Sequence, residues 1–188
     1  MGKTDKWSWS SAIIGAATAA AAAALVLGRP RNPTFRLVSI KPTSLNLDKR
    51  VVHLDLILTV HVTNPNVVPI QYSSSSMSIF YQGTLLGTAR VDEGAQAAAS
   101  CQFLRLPARL DAARLGPHLN RFVADVAKRE MEIDAVVDLG GTAKVLRWGR
   151  KRFKVHVDSH LTVDPVFLDV LDQENRSDLD SFRGLRFV

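Results

Sequence analysis

The chain has 188 residues, of which 46% are hydrophobic, so it is long enough and apolar enough to bury a core. Its formal net charge is +6 at pH 7, and half of this excess lies in residues 1–31. The remainder is only mildly basic, which argues against nucleic acid as a partner. The single cysteine, Cys101, excludes an intrachain disulfide, and its apolar strand context predicts a small core residue.

The N-terminal region contains a long uncharged run. The 22 residues from Trp7 to Gly28 carry no charge, and as a helix they would span ~33 Å, enough to cross a bilayer. Trp7 and Trp9 stand where interfacial tryptophans are common in membrane proteins. We therefore predict a polar flank over residues 1–11 and one transmembrane helix over residues 12–28. The protein would then be a single-pass protein of the plasma membrane or another cellular membrane.

Two other interpretations of this run remain open. Nine of the sixteen residues from Ala12 to Leu27 are alanine, which contributes little to membrane insertion. A cleaved signal or transit peptide, or an alanine-rich helix outside the membrane, fits the same composition. Basic residues flank the run on both sides, and the slightly larger number after it favours a cytosolic location for the rest of the chain.

A short linker, residues 29–34, follows the predicted helix and is rich in arginine and proline. Arg29, Arg31 and Arg36 come so soon after the helix that we expect them to contact lipid headgroups, including anionic ones. The membrane is thus the partner that the sequence predicts. No protein partner is indicated.

Apolar and polar residues alternate along three long downstream segments. These are Val51–Thr63, Met131–Val145 and Phe153–Asp164, with Leu56 and Val157 among the residues expected in the core. A period of two is typical of half-buried antiparallel strands. Four weaker segments between residues 35 and 106 bring the expected number of strands to about seven.

One predicted helix interrupts the strands. Gly116-Pro117 places a proline at its first position. A single apolar stripe follows at helical spacing and is expected to pack on the strands: Leu115, Leu119, Phe122, Val123 and Val126. The predicted fold is mainly β, a seven-stranded antiparallel sandwich of the immunoglobulin or fibronectin III type with one crossover helix. It covers residues 35–170 and leaves a polar tail, 171–188, for which disorder is one interpretation.

The sequence offers no catalytic residues, no cofactor site and no metal site. It has neither a glycine-rich phosphate loop after a strand nor the ligand spacing of a zinc site. His156, Asp158 and His160 share one face of a strand, but residues four apart on a strand lie ~13 Å apart, so the two histidines cannot share an ion. Residues 144–154 hold six basic side chains, which we interpret as a solvated hairpin, with contact to anionic lipid as the alternative.

The first long strand ends in a distinctive turn sequence, Asn64-Pro65-Asn66. Asparagine side chains form hydrogen bonds with nearby backbone groups and so stabilise turns. We therefore predict that Asn64 and Asn66 satisfy backbone groups around Pro65, and that their role is structural.

Several of these features together resemble a known family. They are the hydrophobic N-terminal segment, the strand Leu54–Thr63 with Asn64-Pro65-Asn66, and then Tyr72, Phe80-Tyr81-Gln82-Gly83, Leu86-Gly87 and Phe153–Val157. The chain resembles the plant type 2 late embryogenesis abundant domain, also called the water stress and hypersensitive response domain, over about residues 35–165. Its membrane-anchored members resemble the harpin-induced and non-race-specific disease resistance proteins.

The resemblance implies a function for the whole chain. It implies a non-enzymatic, membrane-anchored protein of desiccation, osmotic stress or pathogen defence that acts by interaction or protection, without a cofactor. Such domains are also distantly similar to proposed lipid-handling modules. The alternative function is therefore lipid binding at a membrane surface, which would require a cavity or groove between the sheets.

Overall fold

The structure is a computed structural model that describes residues 31–48, 51–145 and 149–181. The predicted transmembrane helix, residues 12–28, and Arg29 lie outside these ranges. Within them, none of the helices has the length and apolar character needed to cross a membrane.

The described chain is mainly antiparallel β-structure with one α-helix, as the alternating pattern predicted. The described residues form ten strands: β1 Thr34–Asp48, β2 Val51–Asn64, β3 Ile70–Tyr72, β4 Ser75–Tyr81, β5 Thr84–Val91, β6 Gly94–Gln96, β7 Ser100–Asp111, β8 Met131–Val145, β9 Gly149–Asp164 and β10 Asp169–Ser181. A 3-10 helix, Ala112–His118, and the helix α1, Leu119–Lys128, connect β7 to β8.

All ten strands belong to one hydrogen-bonded sheet. The main path runs β1-β2-β7-β5-β4-β8-β9-β10, and the short strand β3 pairs with both β6 and β8. Gly87 permits the close contact between β5 and β7, because a Cβ there would collide with the carbonyl oxygen of Arg109. The two end strands, β1 and β10, approach each other, so the sheet curls around its core. The immunoglobulin-like sandwich itself stays a prediction.

The alternation in β2 and β9 does define the core. Six of the residues predicted to be inside are fully buried: Leu56, Leu58, Val155, Val157, Leu161 and Val163. Leu54 and Val60 are partly buried and pack against the same core. The strong period of two therefore gave the correct inner face of both strands.

The sequence pattern predicted too few strands, for reasons that differ between segments. One of the four weaker segments, residues 70–81, was expected as a single strand and divides into β3 and β4. The three-residue strands β3 and β6 are too short to show a period. The predicted polar tail continues as β10 to Ser181. In β10 most side chains are exposed and polar, so alternation of apolar and polar residues does not reveal the strand.

Two burial expectations were wrong. Cys101 is exposed, because Leu104, Leu106 and Ala108 set the inner face of β7 and residues of odd number point outward. In the predicted apolar stripe, Leu115 and Phe122 pack against the core, but Leu119 and Val123 are exposed. The α-helix also begins two residues after Pro117, which lies inside the 3-10 helix.

Candidate functional site

An apolar cavity of about 230 Å³ lies inside the curled sheet. It is lined by the inner faces of most long strands, including Leu56 of β2, Leu106 of β7 and Val157 of β9. Ser159 and Gln173 are its only polar lining residues among the described part of the chain. For comparison, a dry apolar cavity of about 150 Å³ binds benzene. This cavity is therefore large enough for a hydrocarbon group, and the lining residues that the structure describes carry no charge.

One part of the cavity wall belongs to the end of the molecule that we call the helix end. This end consists of the 3-10 helix, α1 and the turn between β9 and β10, residues 165–168. Leu115 and Phe122 line the cavity from the helical side, and Pro165 and Leu168 line it from the turn. The sequence pattern predicted that the helix packs on the strands, and the structure shows that its inner side chains line a cavity.

Arg129 joins the two elements of the helix end. It follows α1 in a left-handed conformation, with φ of 60°, and its guanidinium forms an ion pair of 2.7 Å with Asp164. Asp164 is buried and also accepts hydrogen bonds from the backbone N–H groups of Val166 and Phe167. Burial raises the pKa of Asp164, but the Arg129 hydrogen bond and these N–H groups outweigh it and lower the pKa overall.

A buried hydrogen bond fixes α1 over the cavity. Tyr81 is 1% exposed, and its hydroxyl donates a hydrogen bond to Asp125 of α1 at 2.8 Å. Burial first, and then the bond to the Asp125 carboxylate, raises the pKa of Tyr81 to about 12, so the phenol stays protonated. Tyr81 belongs to the Phe80–Gly83 segment of the family resemblance, and the structure gives this tyrosine its role in holding the helix.

At one side of the cavity, the two end strands of the sheet, β1 and β10, lie next to each other, and we call this boundary the seam. Three side-chain amides bridge it: Gln173 accepts from Leu37 N–H at 2.9 Å, Asn175 donates to Phe35 O at 2.5 Å, and Asn32 donates to Ser177 O at 2.6 Å. In the described ranges no backbone ladder joins these strands. Sequence reasoning missed Gln173 and Asn175 because they fall in the predicted tail; the only signal there was a pair of amides two residues apart.

Both end strands bulge beside this seam. The register of β1 shifts at Val38, and that of β10 shifts at Leu171. The antiparallel contacts of the seam place these bulges near each other, and both side chains are exposed. An extra residue bends a strand and interrupts its backbone pairing. The bulges therefore explain why side chains, and not a backbone ladder, join β1 to β10.

The Asn-Pro-Asn turn lies at the opposite end of the molecule. Asn64 is fully buried; its Nδ2 donates to Val68 O at 3.0 Å and Ala97 O at 2.9 Å, and its Oδ1 accepts from Asn66 N–H at 3.1 Å. The Asn66 amide accepts from Arg31 N–H at 2.7 Å and donates to Arg31 O at 2.9 Å. The turn therefore joins two loops to the start of the domain.

The residues expected at lipid headgroups are described only in part. Arg31 lies at this end, where the chain enters the domain, and Arg36 is exposed on the outer face of β1. In the described part of the chain, the side chains of Arg31 and Arg36 do not contact a common partner. Their headgroup role stays a prediction.

The histidines of β9 each have a carboxylate from the neighbouring strand β8. His160 Nδ1 lies 2.6 Å from Asp134, and His156 Nδ1 lies 2.8 Å from Asp138. These hydrogen bonds raise the pKa of both imidazoles above their usual value, against a smaller opposing effect of burial. Across the described ranges, no group of three histidine, cysteine, aspartate or glutamate side chains could hold a metal ion. His156 and His160 each make a cross-strand contact on the outer face of the sheet.

Asp134→Asn is expected to lower the pKa of His160. Because the folded-state pKa of His160 is raised, its stabilising effect is full below the unfolded value near 6.5 and is lost as pH rises through the folded value. The pair is exposed, so the effect on the free energy of unfolding is below about 1 kcal/mol. Titration by nuclear magnetic resonance measures the shift, with His156 as the internal control that keeps its pKa. An unchanged His160 pKa would show that the contact does not exist in solution.

The fold and the cavity define a class of protein, a mainly antiparallel β-domain with an apolar cavity that is lined on one side by a helix. A family model for late embryogenesis abundant proteins, LEA_2, matches residues 59–160. This is more than half of the chain, so the chain belongs to the late embryogenesis abundant LEA_2 family. The family predicted from the turn and strand motifs is thereby confirmed, and its membership indicates a stress-related role. The resemblance to membrane-anchored harpin-induced proteins stays a prediction.

Solved structures with a similar arrangement are distant. A solution structure of an Arabidopsis thaliana protein is 18% identical, with a TM-score of 0.42 over 82% of this chain and 84% of that chain. A crystal structure of an Archaeoglobus fulgidus protein is 16% identical, with a TM-score of 0.36 over 80% of this chain and 100% of that chain. The solution structure of a late embryogenesis abundant protein is 16% identical, with a TM-score of 0.35 over 82% and 85%. No curated protein matches this chain.

Proposed function

We propose that this protein is a non-enzymatic stress-response protein whose β-domain binds the acyl chain of a lipid. The observation that carries the proposal is the apolar cavity of about 230 Å³. Burial of apolar surface is the main favourable term for a hydrocarbon ligand, and such a ligand requires no polar partner inside the cavity. Family membership supports the stress-related part of the function.

The arrangement of the cavity wall favours an extended ligand. Its lining extends from Phe35 and Val62, towards the Asn-Pro-Asn turn, to Leu110 and Phe122 at the helix end. We infer that the two halves of the sheet act as facing layers, as in an immunoglobulin-like sandwich, with the chain between them. Gln173, at the seam, is one of the two polar lining residues, so we expect the polar end of the ligand to lie beside it.

We further propose that residues 12–28 hold the domain at a membrane. The support is in the sequence: the uncharged run, Trp7 and Trp9 beside it, and the arginines Arg29 and Arg31 after it. Residence at a membrane would supply the ligand locally. Desiccation acts on bilayers, so a lipid-binding domain there fits the stress-related role.

Filling the cavity is expected to abolish lipid binding. Ala135 of β8 is buried and lines the cavity, so Ala135→Phe would place a ring in the space of the acyl chain. The full chain is irradiated in phosphatidylcholine vesicles that contain a diazirine-labelled acyl chain, and the cross-linked peptides are mapped by mass spectrometry. Wild-type protein should be labelled on the inner faces of β2, β8 and β9, and Ala135→Phe should reduce this labelling several-fold.

The matched control is Ala95→Phe, the same change at an exposed position of the short strand β6. It should leave the labelling of β2, β8 and β9 intact. Labelling of outer-face peptides alone, or equal labelling in both variants, would mean that the cavity does not hold the chain.

A further inference from the structure

We propose that a single acyl chain enters the cavity sideways, through the half of the seam that lies nearer the helix end. This half consists of residues 38–42 of β1 and residues 168–172, and we call it the unbonded half. The inference rests on the proposed lipid-binding function. It assigns an entrance to the cavity and a class of ligand to it, a lipid with one acyl chain.

Hydrogen bonds across the seam are confined to its other half. The three side-chain amides that bridge the seam join residues 32–37 to residues 173–177. In the described part of the chain, no hydrogen bond joins residues 38–42 to residues 168–172. Separating the strands at the bridged half leaves Leu37 N–H and Phe35 O without their partners, whereas separating them at the unbonded half breaks no such contact. The seam therefore opens at lower cost in its unbonded half.

The other described boundaries of the cavity are held by hydrogen bonds. Along the main path of the sheet, each neighbouring pair of strands shares a backbone ladder. At the helix end, Tyr81 is bonded to Asp125 of α1, and Arg129 is paired with Asp164. Local opening at any of these places would break ladder bonds or buried polar contacts. Among the described boundaries, the unbonded half opens without such a loss.

Apolar side chains mark a path through the unbonded half. Ile40 and Leu168 line the cavity on its two sides. At the two bulges, Val38 and Leu171 are 50% and 54% exposed. A hydrocarbon chain that passes here contacts apolar groups from the outer surface to the cavity, so its own surface leaves water step by step. The path therefore suits an acyl chain.

The cavity volume and Gln173 define the class of ligand. The volume of about 230 Å³, against about 150 Å³ for a cavity that binds benzene, suits one hydrocarbon chain and not two side by side. Gln173 borders the unbonded half, and its Nε2 donates to Asn175 at 2.8 Å. An amide nitrogen carries two N–H donors, and the second has no protein partner in the described ranges. It can donate to the ester carbonyl of a single-chain lipid whose headgroup stays outside.

Tethering the two strands tests the entrance in the full chain. Cys101 is first replaced by serine, since it is the only cysteine, and Val38→Cys and Leu171→Cys are introduced together. A bismaleimide with a disulfide in its spacer joins the two thiols, and reduction later releases them. Lysophosphatidylcholine with a diazirine in its acyl chain is added, samples are irradiated at successive times, and labelled peptides are identified by mass spectrometry. We expect labelling on the inner faces of β2, β8 and β9 to be several-fold slower in the tethered protein and to regain the wild-type rate after reduction.

The matched control places the same tether between Asp158→Cys and Arg176→Cys. These two residues are exposed and lie directly opposite each other on β9 and β10. Because a backbone ladder already joins these strands, the tether adds no new restraint on opening, and the labelling rate should equal that of the wild type. Equal slowing by both tethers would show that the linker itself hinders uptake, and would overturn the assigned entrance.

The remaining outcomes separate the entrance from lipid binding itself. If the protein tethered at residues 38 and 171 is labelled at the wild-type rate, the acyl chain enters elsewhere, and the entrance fails while lipid binding stands. If inner-face peptides of the untethered wild type are never labelled, the proposed lipid-binding function fails, and the entrance fails with it.

Discussion

Leu56→Asp is expected to unfold the domain. Leu56 is 5% exposed and lies in the middle of β2 opposite Ala108 of β7. It lines the apolar cavity, and among the described lining residues there is no cation that could pair with a carboxylate. Because an unpaired charge in such a site is very costly, the free energy of unfolding should fall by at least about 4 kcal/mol, which is most of the stability of a typical domain. Denaturant unfolding of the full chain, followed by circular dichroism, measures the change.

The matched control is the same substitution at an exposed leucine. Leu45 of β1 is 58% exposed and pairs with Leu54 of β2. Leu45→Asp should change the free energy of unfolding by no more than about 0.5 kcal/mol. If both variants unfold at the same denaturant concentration as the wild type, the register of β2 is wrong.

Asn64→Ala should cost about 2–4 kcal/mol of stability. The substitution removes the buried amide that bonds to Val68 O, Ala97 O and Asn66 N–H. Ala97 O keeps the hydrogen bond from Ser100 Oγ, whereas Val68 O and Asn66 N–H lose their side-chain partner. Each buried polar group left unsatisfied costs about 1–3 kcal/mol. Thermal unfolding of the full chain reports the loss, which should appear as a lower midpoint in the same buffer.

Two variants make the Asn64 result specific. Asn64→Asp keeps the oxygen that accepts from Asn66 N–H and loses the two donated bonds, so it tests the donors alone. Asn46→Ala removes an asparagine that is exposed, and it should have little effect. An Asn64→Ala protein of unchanged stability that no longer binds lipid would refute the structural role and make Asn64 a ligand residue.

Much of the fold was predictable, because each long strand is a local pattern. In β2 and β9, alternation identified the buried residues, from Leu56 and Leu58 to Val155 and Val157. The strand β10 was missed because its side chains are mostly polar and exposed, so its pairing with β9 leaves no period of two in the sequence. Residues Gln173 and Asn175 were missed with it. Cys101 was misplaced because a small apolar residue near a strand end fits either face.

The candidate site was less predictable than the fold. The alternative function predicted from the sequence, lipid binding, requires a cavity. The same inner-face residues are compatible with a fully packed core or with a core that contains a cavity, so the sequence does not distinguish the two. Cavity volume depends on how far apart the facing strands lie, and this distance is set by the whole curled sheet. The contact of Arg129 with Asp164 and that of Tyr81 with Asp125 join residues 35 and 44 positions apart in the chain, and no local pattern records them.

By itself, the sequence determined that this chain contains an antiparallel β-domain, which residues of its long strands face inward, where the helix lies, and to which family it belongs. These properties depend on neighbouring residues, on alternation and on turn chemistry. Only the tertiary structure decided that the sheet curls until β1 meets β10, that a cavity remains inside, and that Leu119 and Val123 stay exposed. Such features depend on packing between segments distant in the chain, because burial and cavity volume are properties of all the surrounding elements together.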